Sequence, residues 1–242
     1  MFLMCRKFSN FELKNLYYRF MQSPDYNQAF VTIGKDVLAE QPAAEYTGEI
    51  LIIDSEDKIE KAVEKLKNST IIGFDTETRP SFRKGQMHNV ALIQMATPDS
   101  CFLFRTNKIG FPEELIKILE NPYILKVGLS IHDDFHNLRK VAEVEPEGFI
   151  DLQSYVKKFK IADNSLSRLY AILFGERISK GQRLTNWEAD ELTDSQQKYA
   201  AMDAFACIKI YNYLKEGNFD PLKSPYLTFP TCEEENLTLN PD

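Results

Sequence analysis

The hydrophobic pattern of this chain changes period as it runs from residue 48 to residue 216. Four consecutive aliphatic residues at 50–53 predict a short strand, and the apolar run 71–74 predicts a second. Between them Ile59, Ala62, Val63 and Leu66 recur at helical spacing, with Ser55 placed as the N-cap. Residues 89–96 and 101–104 read as a hairpin pair joined at Pro98 and Asp99. Pro112 opens a helix that reaches about residue 119. A buried strand at 124–129 leads into a helix over 131–142, and another short strand ends near Ile150. Beyond it the pattern is helical, over 152–159 with Asp151 as cap, over 165–174, and from about 194 to 214. Thr193 and Gln196 have the spacing of a capping box at the start of that last helix.

Strands alternating with helices, with one hairpin among them, predict an α/β fold built on a mixed sheet. The two ends differ from this middle. Phe8, Phe11, Leu13, Leu16, Tyr17 and Phe20 form an apolar but irregular stretch, and Met21 begins more ordinary sequence and is an expected alternative start. Residues 217–242 hold four prolines and the run Glu233, Glu234, Glu235, which predicts a weakly ordered tail. The expected organisation is an N-terminal extension over 1–47, one domain over 48–216, and an acidic, proline-containing tail over 217–242.

Composition narrows the function. The 242 residues are 43% hydrophobic and 27% charged, enough for one sizeable core. No apolar run approaches the roughly 18 residues of a membrane helix, and Arg6 and Lys7 interrupt the apolar start. Cys5, Cys101, Cys207 and Cys232 have neither disulfide-framework nor zinc spacing, so a reducing, cytoplasmic setting is expected. The formal net charge of −7 argues against a polyanion as partner. Taken by region, however, the charge is 0 over 1–47, −3 over 48–216 and −4 over 217–242.

Three groups of residues carry candidate chemistry. Asp75 and Glu77 alternate at the end of an apolar strand, so both side chains leave one face of a sheet. Two carboxylates aimed at one point repel unless a cation lies between them, and oxygen donors of this kind suit Mg²⁺ or Mn²⁺. Asp133 and Asp134 sit in the first turn of a helix that follows a strand, where the helix dipole alone favours acids. Tyr199 and Asp203 are spaced i, i+4 on one face of the long helix, among alanines. Each group alone has an ordinary structural explanation. His132 and His136, also spaced i, i+4, lack a third ligand pattern and read as a histidine pair without metal. Trp187 reads as core.

The order and contexts of the acids resemble the DEDD superfamily of 3′→5′ exonucleases, tyrosine subclass. The likeness extends to Val90-Ala91-Leu92-Ile93-Gln94, Lys126-Val127-Gly128-Leu129, Asn186-Trp187 and Tyr199-Ala200-Ala201, which are similar to the exonuclease domains of the Werner helicase group and, more distantly, to ribonuclease D. The resemblance spans about residues 48–216. It implies a five- to six-stranded mixed sheet of the ribonuclease H-like type, flanked by helices. It places the site on Asp75, Glu77, Asp134, Tyr199 and Asp203, the four acids holding two Mg²⁺ or Mn²⁺ ions. Asp134 is chosen over Asp133 because the motif sets its acid four residues before a leucine, here Leu138.

The implied function is metal-dependent hydrolysis of phosphodiester bonds from the 3′ end of a nucleic acid, DNA before RNA, releasing nucleoside 5′-monophosphates. The alternatives are a 3′-end-trimming ribonuclease, a non-catalytic nucleic-acid-binding module on the same fold, and a ribonuclease H-like endonuclease. Arg79, Phe82, Arg83, Lys84, Arg168 and Arg183 are the candidates for contact with the strand, a single strand or frayed duplex end. Lys157, Lys158, Lys160 and Lys180 extend the same basic stretch. Two divalent ions on the four acids would turn the −3 of residues 48–216 into +1.

Overall fold

The apolar runs become strands in a computed structural model that describes residues 27–83 and 85–230. Lys84, the aromatic N-terminal stretch with Met21 and Cys5, and the Glu233–Glu235 run with Cys232 lie outside the described residues. The described strands are β1 (Phe30–Val31), β2 (Glu49–Ile53), β3 (Ile71–Thr78), β4 (Val90–Ala96), β5 (Ser100–Phe104), β6 (Leu125–Gly128), β7 (Phe149–Asp151) and β8 (Leu227–Thr228). The helices used below are α1 (Lys35–Glu40), α2 (Glu56–Lys67), α3 (Thr106–Ile109), α4 (Glu113–Leu119), α5 (Ile131–Leu138), α6 (Leu152–Tyr155), α7 (Leu166–Phe174) and α8 (Asp194–Lys215). Six strands form one mixed sheet in the order β2-β5-β4-β3-β6-β7. The β3–β4 and β4–β5 pairs are antiparallel and the other three parallel. This is the mixed sheet that the alternating pattern predicts.

Side chains alternate across the sheet, and each face has its own core. Ile72, Phe74, Ile93, Met95, Phe102 and Phe104 face α2, α4 and α5, packing on Ile59, Leu66, Leu115, Ile118 and Leu138. Leu92, Ala96, Leu103 and Val127 face the other way, onto α7 and α8. Helix α8 lies across the middle of that face with Ala200, Ala201, Ala204 and Ala206 buried. Small residues permit a close approach, and Gly73 on β3 completes it: a Cβ there would collide with the backbone carbonyl of Ala204. Among the described residues no helix is long and apolar enough to cross a membrane.

Several boundaries differ from the sequence reading. β3 runs on to Thr78, so Asp75 and Glu77 are strand residues with ladder partners. α5 stops at Leu138; turns at 139–142 then return buried Val144 to the core. The predicted helix over 152–159 divides into α6 and a 3-10 turn, Val156–Phe159, closed by Lys160 at φ 58°. Ser55 precedes α2 without a side-chain cap bond, whereas the Asp151 cap and the Thr193–Gln196 capping box both form. Residues 217–230 depart from the weakly ordered tail expected of them. Asp220 caps the turn Pro221–Lys223, and β8 pairs with β1. Val31 and Ile33 are thereby buried, and Tyr46 packs edge-on against Phe205 at 5.3 Å.

Candidate active site

β3 and α8 bring three acids together. Asp75 and Glu77 leave β3 on the side facing α8, beyond Gly73, where helix and strand backbones nearly touch. A register irregularity between Glu77 and Thr78 ends the regular ladder, a feature that re-aims strand side chains. On α8 the capping box fixes the first turn, Thr193 Oγ1 accepting from Gln196 N at 3.2 Å and Gln196 Oε1 from Thr193 N at 3.0 Å. Tyr199 and Asp203 follow on one face. Asp75, Glu77 and Asp203 each offer a carboxylate oxygen, all within 4.8 Å of one another.

Burial makes this proximity costly. Glu77 and Asp203 are each 8% exposed. Loss of solvent, then repulsion from Asp203, raises the Glu77 carboxyl to about 9. Asp203 is raised to about 7 by burial, against the opposing pull of the Tyr199 hydrogen bond and of Lys180 and Arg183. Asp75 is pushed well above the ordinary range by burial and by Asp203, Glu77 and Asp134. None of the three forms an ion pair among the described residues. Three hard oxygen donors without an ion-pair partner fit a divalent cation of the Mg²⁺ or Mn²⁺ class.

Asp134 stands apart from this group. It projects from the first turn of α5, on the opposite side of the sheet from α8, and accepts a hydrogen bond from the Thr76 hydroxyl. Thr76 lies between Asp75 and Glu77 in sequence and points to the opposite face. Burial raises Asp134 to about 6, and the Thr76 bond opposes that rise. Its charge is still felt by Asp75 and Glu77. Asp133 is exposed on the outer side of α5, as are His132 and His136.

A cleft of about 300 Å³ opens over the acids, lined by Asp75, Tyr199, Asp203 and Cys207 with Lys180 and Arg183. Tyr199 shares a hydrogen bond with Asp203, and burial and the surrounding acids push its phenol far up, so it keeps its proton. The segment carrying Lys180 and Arg183 is pinned at both ends. Ser167 Oγ donates to Ile178 O at 2.9 Å, and Gln196 Nε2 to Thr185 Oγ1 at 3.0 Å. Buried Arg105 donates to Ala189 O and Asp190 O. Trp187 is fully buried beside Tyr199, ring centroids 6.1 Å apart.

The other basic candidates do not line this cleft. Arg79 pairs with Glu188 at 3.2 Å, and Glu188 also meets His88 at 2.9 Å. Arg168 pairs with Asp163 at 2.7 Å. Phe82 is 80% exposed and Arg83 is exposed, both on the loop between β3 and β4; Lys84 lies outside the described residues. The sequence reading passed over Thr76 and Gln94. Gln94 stands opposite Asp75 in the ladder, fully buried, with neither amide atom hydrogen-bonded. A lone amide inside the apolar run 90–96 was the available signal for Gln94. Strand alternation between the two acids was the signal for Thr76.

Comparison with known proteins bears on the family and the fold. A family model described as 3′-5′ exonuclease matches residues 50–217. The chain is 34% identical over 181 residues to the bifunctional 3′-5′ exonuclease/ATP-dependent helicase WRN of Mus musculus, covering 72% of this chain and 13% of that protein. It is 29% identical over 191 residues to a 3′-5′ exonuclease of Arabidopsis thaliana, covering 72% of this chain and 66% of the relative. The crystal structure of the Aedes aegypti Nibbler EXO domain superposes with a TM-score of 0.65 at 23% identity, over 82% of this chain and all of that one. Solved exonucleases thus share the mixed-sheet fold.

Proposed function

Since this chain belongs to the 3′→5′ exonuclease family, we propose that it removes nucleotides singly from the 3′ end of a nucleic acid, at Asp75, Glu77, Asp134, Tyr199 and Asp203. The observation that carries this reading is the convergence of Asp75, Glu77 and Asp203, with Asp75 and Asp203 lining a cleft that Lys180 and Arg183 also line. Asp75, Glu77 and Asp203 would hold one divalent ion, and Asp134 would serve a second. Such ions, Mg²⁺ or Mn²⁺, supply charge neutralisation at the phosphate and acidify an attacking water.

The chain's own residues do the remainder. Lys180 and Arg183 bind the phosphate that enters the cleft. Tyr199, protonated and tied to Asp203, orients the water as a hydrogen-bond partner and does not remove its proton. Buried Trp187 backs the Tyr199 ring. Cleavage of the bond between phosphorus and the 3′ oxygen leaves a shortened strand and a nucleoside 5′-monophosphate. Phe82 and Arg83, exposed on the loop after β3, would meet the incoming strand, which we take to be DNA before RNA.

A 5′-labelled single strand incubated with the protein and Mg²⁺ or Mn²⁺ should shorten into a ladder from its 3′ end. Protein inert in both metals, or binding without hydrolysis, overturns the reading. Matched DNA and RNA strands competing in one reaction decide the sugar, and faster loss of RNA makes the protein a 3′-trimming ribonuclease.

A further inference from the structure

Thr76 has no role in the chemistry above, yet its hydroxyl is bonded to one of the proposed ligands. The alternation of a strand puts residue 76 on the face opposite 75 and 77. Asp134 comes from α5, which packs on that same face against Phe74. The Thr76 hydroxyl therefore meets Asp134 from behind the strand, donating to Oδ1. A carboxylate has two oxygens and about four lone-pair positions, so one bond to a hydroxyl leaves Oδ2 available. The charge of Asp134 already reaches Asp75 and Glu77 across the end of the strand. Yet Asp134 is not among the three acids whose oxygens converge within 4.8 Å.

We propose that Thr76 is a positioning residue: its hydroxyl fixes Oδ1 of Asp134 and so aims Oδ2 at the cation that Asp134 shares with Asp75. This rests on the exonuclease reading and adds an asymmetry to it. An ion on Asp75, Glu77 and Asp203 would have its donors assembled by β3 and α8 alone. A second ion would depend on one acid from another helix, and among the described residues the side chain hydrogen-bonded to that acid is Thr76. Partners one step behind a metal ligand commonly change metal affinity by about 10- to 100-fold when removed.

The test compares Thr76→Val, which removes the hydroxyl but keeps the branched shape a strand favours, with Thr76→Ser, which keeps the hydroxyl. Mn²⁺ uptake is followed through the electron paramagnetic resonance signal of the free ion, without nucleic acid. Two classes of site are expected in the unaltered protein. In Thr76→Val the weaker class should weaken by about tenfold with the tighter class unchanged, and Thr76→Ser should follow the unaltered protein. The Mn²⁺ concentration giving half-maximal nuclease rate should rise by the same factor in Thr76→Val only. Thr76→Val binding Mn²⁺ normally or more tightly overturns the proposal, and so does equal weakening in both variants. An unaltered protein that takes up no Mn²⁺ instead refutes the cation site itself, and the proposal with it.

Discussion

Asp163 and Asp203 are buried to nearly the same degree, 7% and 8% exposed, and the protein treats them in opposite ways. Asp163 is fully answered by its surroundings. Arg168 donates to one oxygen at 2.7 Å; Ile33 N and the Thr32 hydroxyl donate to the other at 2.9 and 3.0 Å. It fastens the N-terminal segment around β1 to the domain. Asp203 has a phenol for a partner and two further acids for neighbours. Burial by itself therefore does not mark a functional acid. The mark is a buried carboxyl that the chain crowds with other acids and gives no ion pair, so that it ionises readily only with a ligand from outside.

The sharpest way to separate the two is substitution. Asp75→Ala and Asp203→Ala should each lower nuclease activity by at least about 10³-fold, since either removes a proposed cation ligand. Neither should lower the metal-free melting temperature, because each relieves repulsion. Asp163→Asn should do the reverse. It should cost about 3 kcal/mol of stability by leaving Arg168 unpaired, while the folded fraction keeps its rate. Normal turnover in Asp203→Ala, or an unstable metal-free form, would break the comparison.

A smaller effect is expected at Tyr199→Phe, about 10- to 100-fold in rate, as for a lost hydrogen bond to a reacting group. Mn²⁺ affinity should stay near that of the unaltered protein. The pH dependence of stability sharpens the contrast further. Asp134, Asp203 and Glu77 are raised to about 6, 7 and 9 in the fold. The metal-free fold thus holds protons that the unfolded chain releases near pH 4. Their stabilising contribution is whole below about pH 4 and drains as pH rises through those values. Metal-free melting temperature should fall from pH 5 to pH 9 more steeply than in Glu77→Gln. Added Mg²⁺ should raise it more at pH 8.5 than at pH 6. The smallest effect is expected at Asp133→Asn, which should leave activity within about twofold, as for an exposed group away from a site. Asp134→Asn should cost far more, and the opposite ranking would move the second ligand to Asp133.

Much of this was legible in the sequence, for identifiable reasons. Period-two alternation placed Asp75 and Glu77 on one face, and helical spacing placed Tyr199 with Asp203. The Thr193–Gln196 spacing located the start of α8 because a capping box is a local motif. What escaped depended on contacts between distant segments. Nothing near Asp163 in sequence says that Thr32 and Ile33, from the other end of the described chain, will donate to its carboxylate. Nothing in 217–230 announces that Leu227 and Thr228 will pair with residues 30–31, nearly two hundred positions earlier. Asp134 was chosen over Asp133 through its spacing to Leu138, and the bond it accepts from Thr76 joins two motifs that only the folded sheet brings together.

The width of the site is governed by an atom that is absent. At Gly73 the strand has no side chain, and the carbonyl of Ala204 occupies the space one would fill. Residue 204 is next to Asp203, and residue 73 is two before Asp75, so this point of contact is the hinge pin from which both acids are measured. A single methyl group there would act as a shim. It would lift α8 from β3, spread the oxygens and leave every reactive residue intact. The gauge of the ion-holding gap is thus kept by two backbones pressed together, and an inactive variant at residue 73 would keep all its acids and lose only their spacing.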